Sequence, residues 1–502
     1  MRENERAEEV LRERTYGRRE FIKTIGIGSL ALGISCKPRR GKTHVPPNIL
    51  FCIADDWGWP HAGVYGDPVV RTPSFDHIAE EGVLFDHAFV SSPSCTPSRN
   101  AILTGQYHWR LEEGANLWST LDIKFPVFPL LLEKEGYHVG HWRKCWGPGD
   151  ITAGGYSDTN PGGKLYPEGF AQFLEERPEG IPFCFWLGSS DPHRPYELGS
   201  GEASGLDLSA IRVPAFYPDI LEVRSDIADY YYEVQRFDSD CGSALALLEQ
   251  AGESENTIVV MTGDHGMPFP RCKSNLYDWG VRVPLAVRWG ERIKPGRRVL
   301  DYVSFVDFAP TFLEAAGLDI PEQMCGRSLV PLLESARSGR IEKSRDFVVF
   351  GKERHVPAQE FPEMGGYPCR GLRTDGFLYI RNFAPERWPA GVPEGATHPI
   401  ARFADCDDGP TKFFLMDHRN DPDFKQFFEL AFAKRPAEEL YDLKKDPDQV
   451  INLAGKPEYN QIKSRLAARL KNELKATSDP RLSDRPILFD EYPYRAPYKL
   501  NQ

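Results

Sequence analysis

Short apolar runs alternate along the chain with longer segments in which apolar and polar positions mix. Asn48–Ala54 is almost entirely apolar, a pattern typical of a strand that is buried on both faces. The segment 227–251 instead spaces its apolar residues along one face of a long helix. This alternation predicts an α/β fold, in which a large, mainly parallel sheet is sandwiched by helices.

The same patterns predict further elements and a domain boundary. We expect strands at 83–90, 137–142, 183–187, 257–261 and 283–287, and helices at 74–81, 97–104, 128–135 and 308–316. The stretch 335–345 is small, polar and charged, so it separates a large domain at 44–335 from a smaller α+β domain and tail at 346–502. In the second domain, strands are expected at 347–350 and 377–379, and a helix at 459–476.

Polar residues cluster where three predicted strands end, at Asp55-Asp56, at 191–193 and at Asp264-His265. The carboxyl ends of parallel strands meet at one edge of a sheet, so these clusters can converge. Adjacent carboxylates repel each other unless a cation neutralises them. Their oxygen atoms suit Ca²⁺ or Mg²⁺, and we predict a divalent cation there.

The N-terminal segment, residues 1–43, is predicted to be an export signal and tether. Arg18-Arg19 precedes a weakly apolar run at 25–34 that is too short to span a bilayer. This combination is typical of signals for the twin-arginine export machinery. Cys36 resembles the end of a lipoprotein signal, although the usual Leu three residues earlier is absent. We therefore expect an exported protein, either periplasmic or lipid-anchored at Cys36.

The charge balance limits the partners. The formal net charge is -12, which excludes a global basic field for nucleic acid. An anionic substrate would have to be attracted by a local cluster of cations. The ten cysteines form no CxxC pair, so no disulfide framework is predicted.

The segment Cys95-Thr96-Pro97-Ser98-Arg99, followed by Leu103-Thr104-Gly105, matches C-x-P-S-R-x-x-x-L-T-G. It resembles the signature of the type I, formylglycine-dependent sulfatases of the alkaline phosphatase superfamily. The resemblance implies that a formylglycine-generating enzyme oxidises Cys95 to formylglycine, whose hydrated aldehyde supplies the attacking oxygen. Arg99 would then hold the diol or oxyanion. The structural alternative is a buried cysteine in an ordinary turn.

The other clusters resemble the remaining parts of that family's site. Asp55, Asp56 and Asp264 match its calcium ligands, and Cys95 joins them at the metal. His265 stands where the commonest form of the family has Asn. Imidazole suits softer metals, so Mn²⁺ stays open beside Ca²⁺ and Mg²⁺.

Cationic residues resemble those that bind and activate the sulfate group. Lys144 and Lys273 would bind sulfate oxygens, and His193 would contact the sulfate and protonate the leaving group. Trp146 stands where the family has a His that helps to break down the spent hemiacetal. His141, or a residue from elsewhere in the fold, is the alternative for that proton transfer.

Two stretches resemble the heparan N-sulfatase (sulfamidase) branch, at 266–277 and at Phe350-Gly351 with Arg354-His355. They predict a sulfated glycan sugar as substrate, with the N-sulfate of glucosamine as the first expectation. Arg354, His355 and Glu360 are candidate substrate contacts or, equally, solvated loop residues. The alternatives are an O-sulfate ester sulfatase, a phosphonate or phosphodiester hydrolase, and a non-catalytic glycan-binding protein with unmodified Cys95.

Overall fold

The structure is a computed structural model that describes residues 45–157, 159–359, 365–394, 402–483 and 489–497. The predicted export signal with Cys36, and also Glu360, lie outside the described residues. The described residues belong to one compact unit that begins at Val45. None of the helices in these ranges is both long enough and apolar enough to cross a membrane.

Two larger sheets and one small one carry the described strands. In chain order the strands are β1 Asn48–Ala54, β2 Val83–Phe85, β3 Ala88–Phe89, β4 His138–Arg143, β5 Lys164–Leu165, β6 Phe183–Gly188, β7 Thr257–Gly263, β8 Leu285–Arg288, β9 Arg297–Val299, β10 Val303–Ser304, β11 Phe347–Lys352, β12 Cys369–Thr374, β13 Phe377–Asn382 and β14 Glu438–Asp442. The main sheet has the order β5-β4-β6-β1-β7-β8-β2-β9. Its pairs are parallel except those of β8, so the predicted mainly parallel sheet is confirmed.

Helices cover both faces of this sheet. The helices of the described residues are, in chain order, α1 Pro73–Glu80, α2 Cys95–Thr104, α3 Phe128–Lys134, α4 Phe170–Glu176, α5 Ser200–Ala203, α6 Leu221–Gln250, α7 Asp278–Val281, α8 Phe308–Ala315, α9 Val330–Glu334, α10 Pro410–Asp417, α11 Lys425–Phe432 and α12 Asn460–Ala476. Alternate residues of β1 point to opposite faces. Ile49 and Phe51 join the core packed with α2, α3 and α8, whereas Leu50 and Cys52 join the core packed with α1, α4 and α6.

The second sheet is antiparallel, with the order β11-β12-β13-β14. One face packs on α12, which contributes Leu466, Leu470 and Leu474 at helical spacing. This confirms the smaller α+β region after residue 346. β12 and the helices α10 and α11 were not predicted from the sequence.

The single strand expected at 83–90 is wrong. Residues 83–85 pair with β8 and β9 in the main sheet, whereas Ala88–Phe89 pairs with β10 in a separate sheet of two strands. Asp86 and His87 interrupt the run, and the Asp86 carboxylate accepts two hydrogen bonds of 2.7 Å from Arg298. Two polar residues in an apolar run therefore mark a change of sheet.

Candidate active site

Four neighbouring strands of the main sheet end at the same level. Ala54 of β1 lies opposite Gly263 of β7, and Gly188 of β6 lies opposite both Ile53 and Arg143. The loops that follow start side by side and carry every candidate cluster, namely Asp55-Asp56, Lys144, 191–194 and Asp264-His265. The predicted convergence at the carboxyl edge of the sheet is confirmed.

Cys95 is the first residue of α2, which begins two residues earlier than predicted. Ser94 precedes it in extended conformation, and every residue of the helix is buried. The Cys95 Sγ lies 3.2 Å from Nε2 of His265. Burial raises the pKa of the Cys95 thiol well above its usual range, although Lys144 nearby opposes this rise. Unmodified Cys95 is thus a neutral thiol and a weak nucleophile.

The residues beside Cys95 fit a divalent cation. Ligand atoms of Asp55, Cys95, Asp264 and His265 all lie within 4.8 Å of one another. His265 Nδ1 lies 3.1 Å from the carbonyl oxygen of Gly266, which can only accept, so Nδ1 carries a proton. In the neutral imidazole, Nε2 then has a lone pair that a metal ion can bind.

A second feature supports the cation. The lone pair of His265 Nε2 faces Asp56 Oδ1 at 3.1 Å. This buried carboxylate oxygen has no hydrogen-bond partner among the described residues. Two electron-rich atoms in contact, away from water, are stabilised by a cation between them. The structure brings together the side chains that the sequence predicted as metal ligands, including His265.

Arg99 lies inside the cluster and is fully buried. Its Nε donates to Asp264 Oδ2 at 2.9 Å, and Nη1 donates to the carbonyl oxygen of Lys144 at 2.5 Å. Nη2 lies 3.6 Å from Asp55 Oδ1 and has no hydrogen-bond partner in the described part of the chain. Arg99 is therefore held at two atoms and retains one donor for an anionic ligand.

Lys144 approaches the cluster from the end of β4. Its Nζ donates to both carboxylate oxygens of Asp55, at 2.8 and 2.6 Å. Burial alone would raise the pKa of Asp55, but Lys144 and the other cations outweigh it and hold that pKa well below its usual range. Asp55 is consequently ionised, as a metal ligand must be.

Lys273 lies on the opposite side of the cluster, between two carboxylates. Its Nζ is 2.9 Å from Asp56 Oδ2 and 2.9 Å from Asp407 Oδ2. It also donates to Nε2 of His193 at 3.1 Å, while His193 Nδ1 contacts the carbonyl oxygen of Arg194 at 2.6 Å. These contacts hold the His193 ring in one orientation, with its side chain about one-third exposed.

Asp407 was missed by the sequence analysis. It follows the acidic Asp405 in a loop before α10, and no local spacing connects either residue with Lys273. Burial would raise the pKa of Asp407, but Lys273 and His193 outweigh it and depress that pKa. Asp407 is thus an ionised partner of both groups.

A cleft of about 650 Å³ opens above Cys95. Its polar side contains Lys144, His193 and Lys273, together with acidic residues that follow β6 or precede α10. The other side is apolar and contains Leu117, Trp118, Val356 and Ala404. This volume is in the range of small-molecule sites.

Arg354 and His355, both predicted as substrate contacts, point to different places. His355 lines the cleft, and its Nδ1 lies 2.8 Å from Oγ of Ser94. Burial lowers the pKa of His355 to about 3, so the ring is neutral. Arg354 is not brought to the cleft, which corrects its prediction as a substrate contact. Its guanidinium donates to the carbonyl oxygens of residues 490, 492 and 493.

Trp146 occupies the position of the family's histidine, and His141 was the predicted substitute for it. The two side chains lie in different surroundings. Trp146 Nε1 donates to Asn100 Oδ1 of α2 at 2.7 Å, so the indole supports the helix that carries Cys95. His141 is buried in β4 and does not line the cleft, so the structure gives it no contact with a bound substrate. Among the described residues, the imidazole in contact with Cys95 is that of His265.

Two family models match the sequence of this chain. The sequence model of the sulfatase family matches residues 47–318, which is more than half of the chain. The chain belongs to the sulfatase family. A second model, described as "N-sulphoglucosamine sulphohydrolase, C-terminal", matches residues 263–381 and agrees with the predicted sulfamidase resemblance.

Individual sulfatases resemble the whole chain. An ulvan-active sulfatase of Formosa agariphila is 29% identical over 457 residues, covering 86% of this chain and 81% of its own length. The human N-sulphoglucosamine sulphohydrolase is 28% identical over 502 residues, covering 90% and 93%. As a member of this family, the protein is a hydrolase of sulfate esters or sulfamates.

Solved structures share the fold of this sulfatase. A protein in complex with its substrate D-glucosamine-2-N,6-O-disulfate has a TM-score of 0.60 at 22% identity, covering 89% of this chain and 99% of its own. The phosphonate monoester hydrolase of Agrobacterium radiobacter has a TM-score of 0.63 at 18% identity, covering 86% and 96%. These likenesses confirm the predicted alkaline-phosphatase-like architecture.

Proposed function

We propose that this sulfatase removes the N-sulfate group from a glucosamine of a sulfated glycan, using a formylglycine made from Cys95. The observation that carries the proposal is the position of Cys95, at the start of α2 and inside a cluster of metal-ligand side chains between two lysines. The choice of an N-sulfate is supported by the family match at 263–381 and by the human relative.

Two groups absent from the gene-encoded chain complete the site. Asp55, Asp56, Asp264 and His265 would hold a divalent cation, for which we propose Ca²⁺, with Mg²⁺ and Mn²⁺ as alternatives. The cation supplies positive charge to the sulfuryl oxygens, and the formylglycine supplies an oxygen nucleophile in place of the neutral thiol.

The cationic side chains have separate tasks in this proposal. Lys144 and Lys273 hold the sulfuryl oxygens from opposite sides, and Arg99 stabilises charge at the nucleophile. His193 would donate a proton from Nε2 to the leaving nitrogen as the N–S bond breaks, which requires that Nε2, the acceptor of Lys273 Nζ in this structure, first takes up a proton. The sum of the reaction is R–NH–SO₃⁻ plus water giving R–NH₃⁺ and SO₄²⁻, which balances in atoms and charge.

We also propose that the protein is exported through the twin-arginine machinery. The Arg18-Arg19 pair and the short apolar run that follows support this. The twin-arginine route carries folded proteins, so Cys95 could be oxidised by its partner enzyme before export. The destination is the periplasm, either free or lipid-anchored at Cys36.

Sulfate release from defined sugars tests the substrate. The purified protein is incubated with N-sulfoglucosamine, glucosamine 6-O-sulfate and a phosphonate monoester, and the products are quantified. We expect sulfate and glucosamine from the N-sulfated sugar, and almost none with Cys95→Ala. Mass analysis of the tryptic peptide that contains Cys95 should show conversion to formylglycine.

Each other outcome selects an alternative. Release from the O-sulfated sugar only would replace the N-sulfatase with an O-sulfate ester sulfatase. Preferential turnover of the phosphonate would favour a phosphonate hydrolase. An unmodified Cys95 thiol, combined with glycan binding and no turnover, would identify a non-catalytic binding protein.

A further inference from the structure

The apolar side of the cleft is continuous with the nucleophile position. Cys95, Leu117, Val356 and Ala358 form one small apolar cluster, and Trp118, Ala404 and Tyr494 pack against it. Trp118 is half-buried and lines the cleft. A sugar attached to a sulfate group at Cys95 would extend along either this apolar side or the facing polar side.

Trp118 has an unusual backbone conformation. Its φ is 51°, in the left-handed region that bulky residues rarely adopt. Such a conformation persists only where surrounding contacts impose it, and it is concentrated at functional sites. The carbonyl oxygen of Trp118 accepts a hydrogen bond of 2.7 Å from the backbone N–H of Arg495.

Arg495 belongs to a C-terminal segment, residues 489–497, that is fastened to the cleft. Arg354, which is 3% exposed, donates to three carbonyl oxygens of this segment. Asn116 links the two, because its Nδ2 donates to the Phe489 carbonyl oxygen and its Oδ1 accepts from the backbone N–H of Arg354. The Arg495 guanidinium also pairs with Glu113 at 2.9 Å.

We propose that Trp118 is the platform on which the sugar ring of the substrate lies, and that the C-terminal segment holds it there. The inference rests on the proposed function, since it takes the leaving group to be a sugar. One face of a pyranose ring is lined by C–H groups that pack on an indole, while the hydroxyl groups face outward. The lining of the same cleft also offers acceptors for hydroxyl groups, in Asp191 and Asp408.

The two reaction products probe the two ends of the cleft separately. Inorganic sulfate occupies only the cationic end, whereas glucosamine occupies the sugar end. We expect Trp118→Ala to raise the inhibition constant of glucosamine and the KM of N-sulfoglucosamine about tenfold, the size of one aromatic contact. The inhibition constant of sulfate and kcat should stay within about twofold of wild type.

Matched variants separate this role from a general loss of structure. Trp118→Phe keeps an aromatic ring at the same backbone position and should recover most of the glucosamine affinity. Trp388→Ala removes another half-buried indole that does not line the cleft, and should change none of these constants.

A variant of Arg354 tests whether the C-terminal segment supports Trp118. Arg354→Ala leaves three carbonyl oxygens without their donor and should weaken glucosamine binding in the same sense as Trp118→Ala, with the sulfate inhibition constant unchanged. Arg469→Ala is the control, because it breaks a more exposed pair with Asp346 in the same region of the chain.

Calorimetric titration of glucosamine and of sulfate makes the result independent of turnover. Equal glucosamine affinity in wild type and Trp118→Ala would overturn the platform, as would an absence of glucosamine binding to wild type. The absence of sulfate release from any sugar by wild type would instead count against the proposed function. The two hypotheses therefore fail on different measurements.

Discussion

His265 is the residue that most clearly separates this site from the commonest form of its family. Its Nε2 lone pair faces Cys95 Sγ and Asp56 Oδ1 at 3.2 and 3.1 Å. An imidazole nitrogen at this position binds Mn²⁺ relatively better than an amide oxygen would, since calcium prefers oxygen donors.

His265→Asn should shift the metal preference toward Ca²⁺. We expect Mn²⁺ affinity to fall by roughly tenfold or more, a loss seen even when groups around a metal are altered. Chelated protein is reconstituted with either ion, and bound metal and sulfate release are measured. His141→Asn, a buried imidazole outside the cleft, is the control. Identical Ca²⁺ to Mn²⁺ ratios in wild type and His265→Asn would contradict His265 as a ligand.

At the scale of elements, buried ion pairs link Arg370 of β12 to Glu353 and Asp479. Arg370 is fully buried, and its guanidinium donates to Asp479 at 2.7 Å and to Glu353 at 2.6 Å. Glu353 directly precedes Arg354 in the loop after β11. The network thus secures the start of the loop that carries His355 and Val356 into the cleft.

Arg370→Ala should lower the free energy of unfolding by about 3–5 kcal/mol, because it leaves the buried Asp479 carboxylate without its cation and removes one of the two guanidinium partners of Glu353, which keeps Arg481. Arg340→Ala breaks a more exposed pair with Asp375 and should cost less than about 1 kcal/mol. Urea unfolding followed by tryptophan fluorescence measures both. Equal midpoints for the two variants would show that the buried network contributes no more than a surface pair.

At the scale of the whole molecule, the proposed twin-arginine export requires that the catalytic region folds before the Arg18-Arg19 pair directs transport. Arginine guanidinium groups are planar and recognised geometrically, so lysine does not replace them despite its equal charge. Changing both Arg18 and Arg19 to Lys should retain the precursor in the cytoplasm.

Cell fractionation with immunodetection measures that retention. Changing Arg12 and Arg14 to Lys makes the same conservative substitution a few residues earlier and should leave export intact. Normal export of the Arg18-Arg19 variant would reject the twin-arginine route in favour of general secretion.

The sequence by itself determined the class of fold, and it predicted the motif around Cys95 and the candidate metal ligands. These depend on short-range patterns, namely the signature around Cys95 and apolar runs that end in Asp55-Asp56 and Asp264-His265. A strand buried on both faces is recognisable from its own residues, and parallel strands necessarily bring their carboxyl ends together. Burial and register confirmed the buried strands and the meeting of their carboxyl ends.

Only the tertiary structure decided which distant residues complete the site. Asp407 reaches Lys273, and the segment 489–497 reaches Trp118, across folds of the chain that no local spacing encodes. The tertiary structure also places the neighbours Arg354 and His355 differently. Arg354 donates hydrogen bonds to the C-terminal segment, whereas His355 lines the cleft. The physical reason is that successive residues outside regular elements point in directions set by their packing partners, which are remote in sequence.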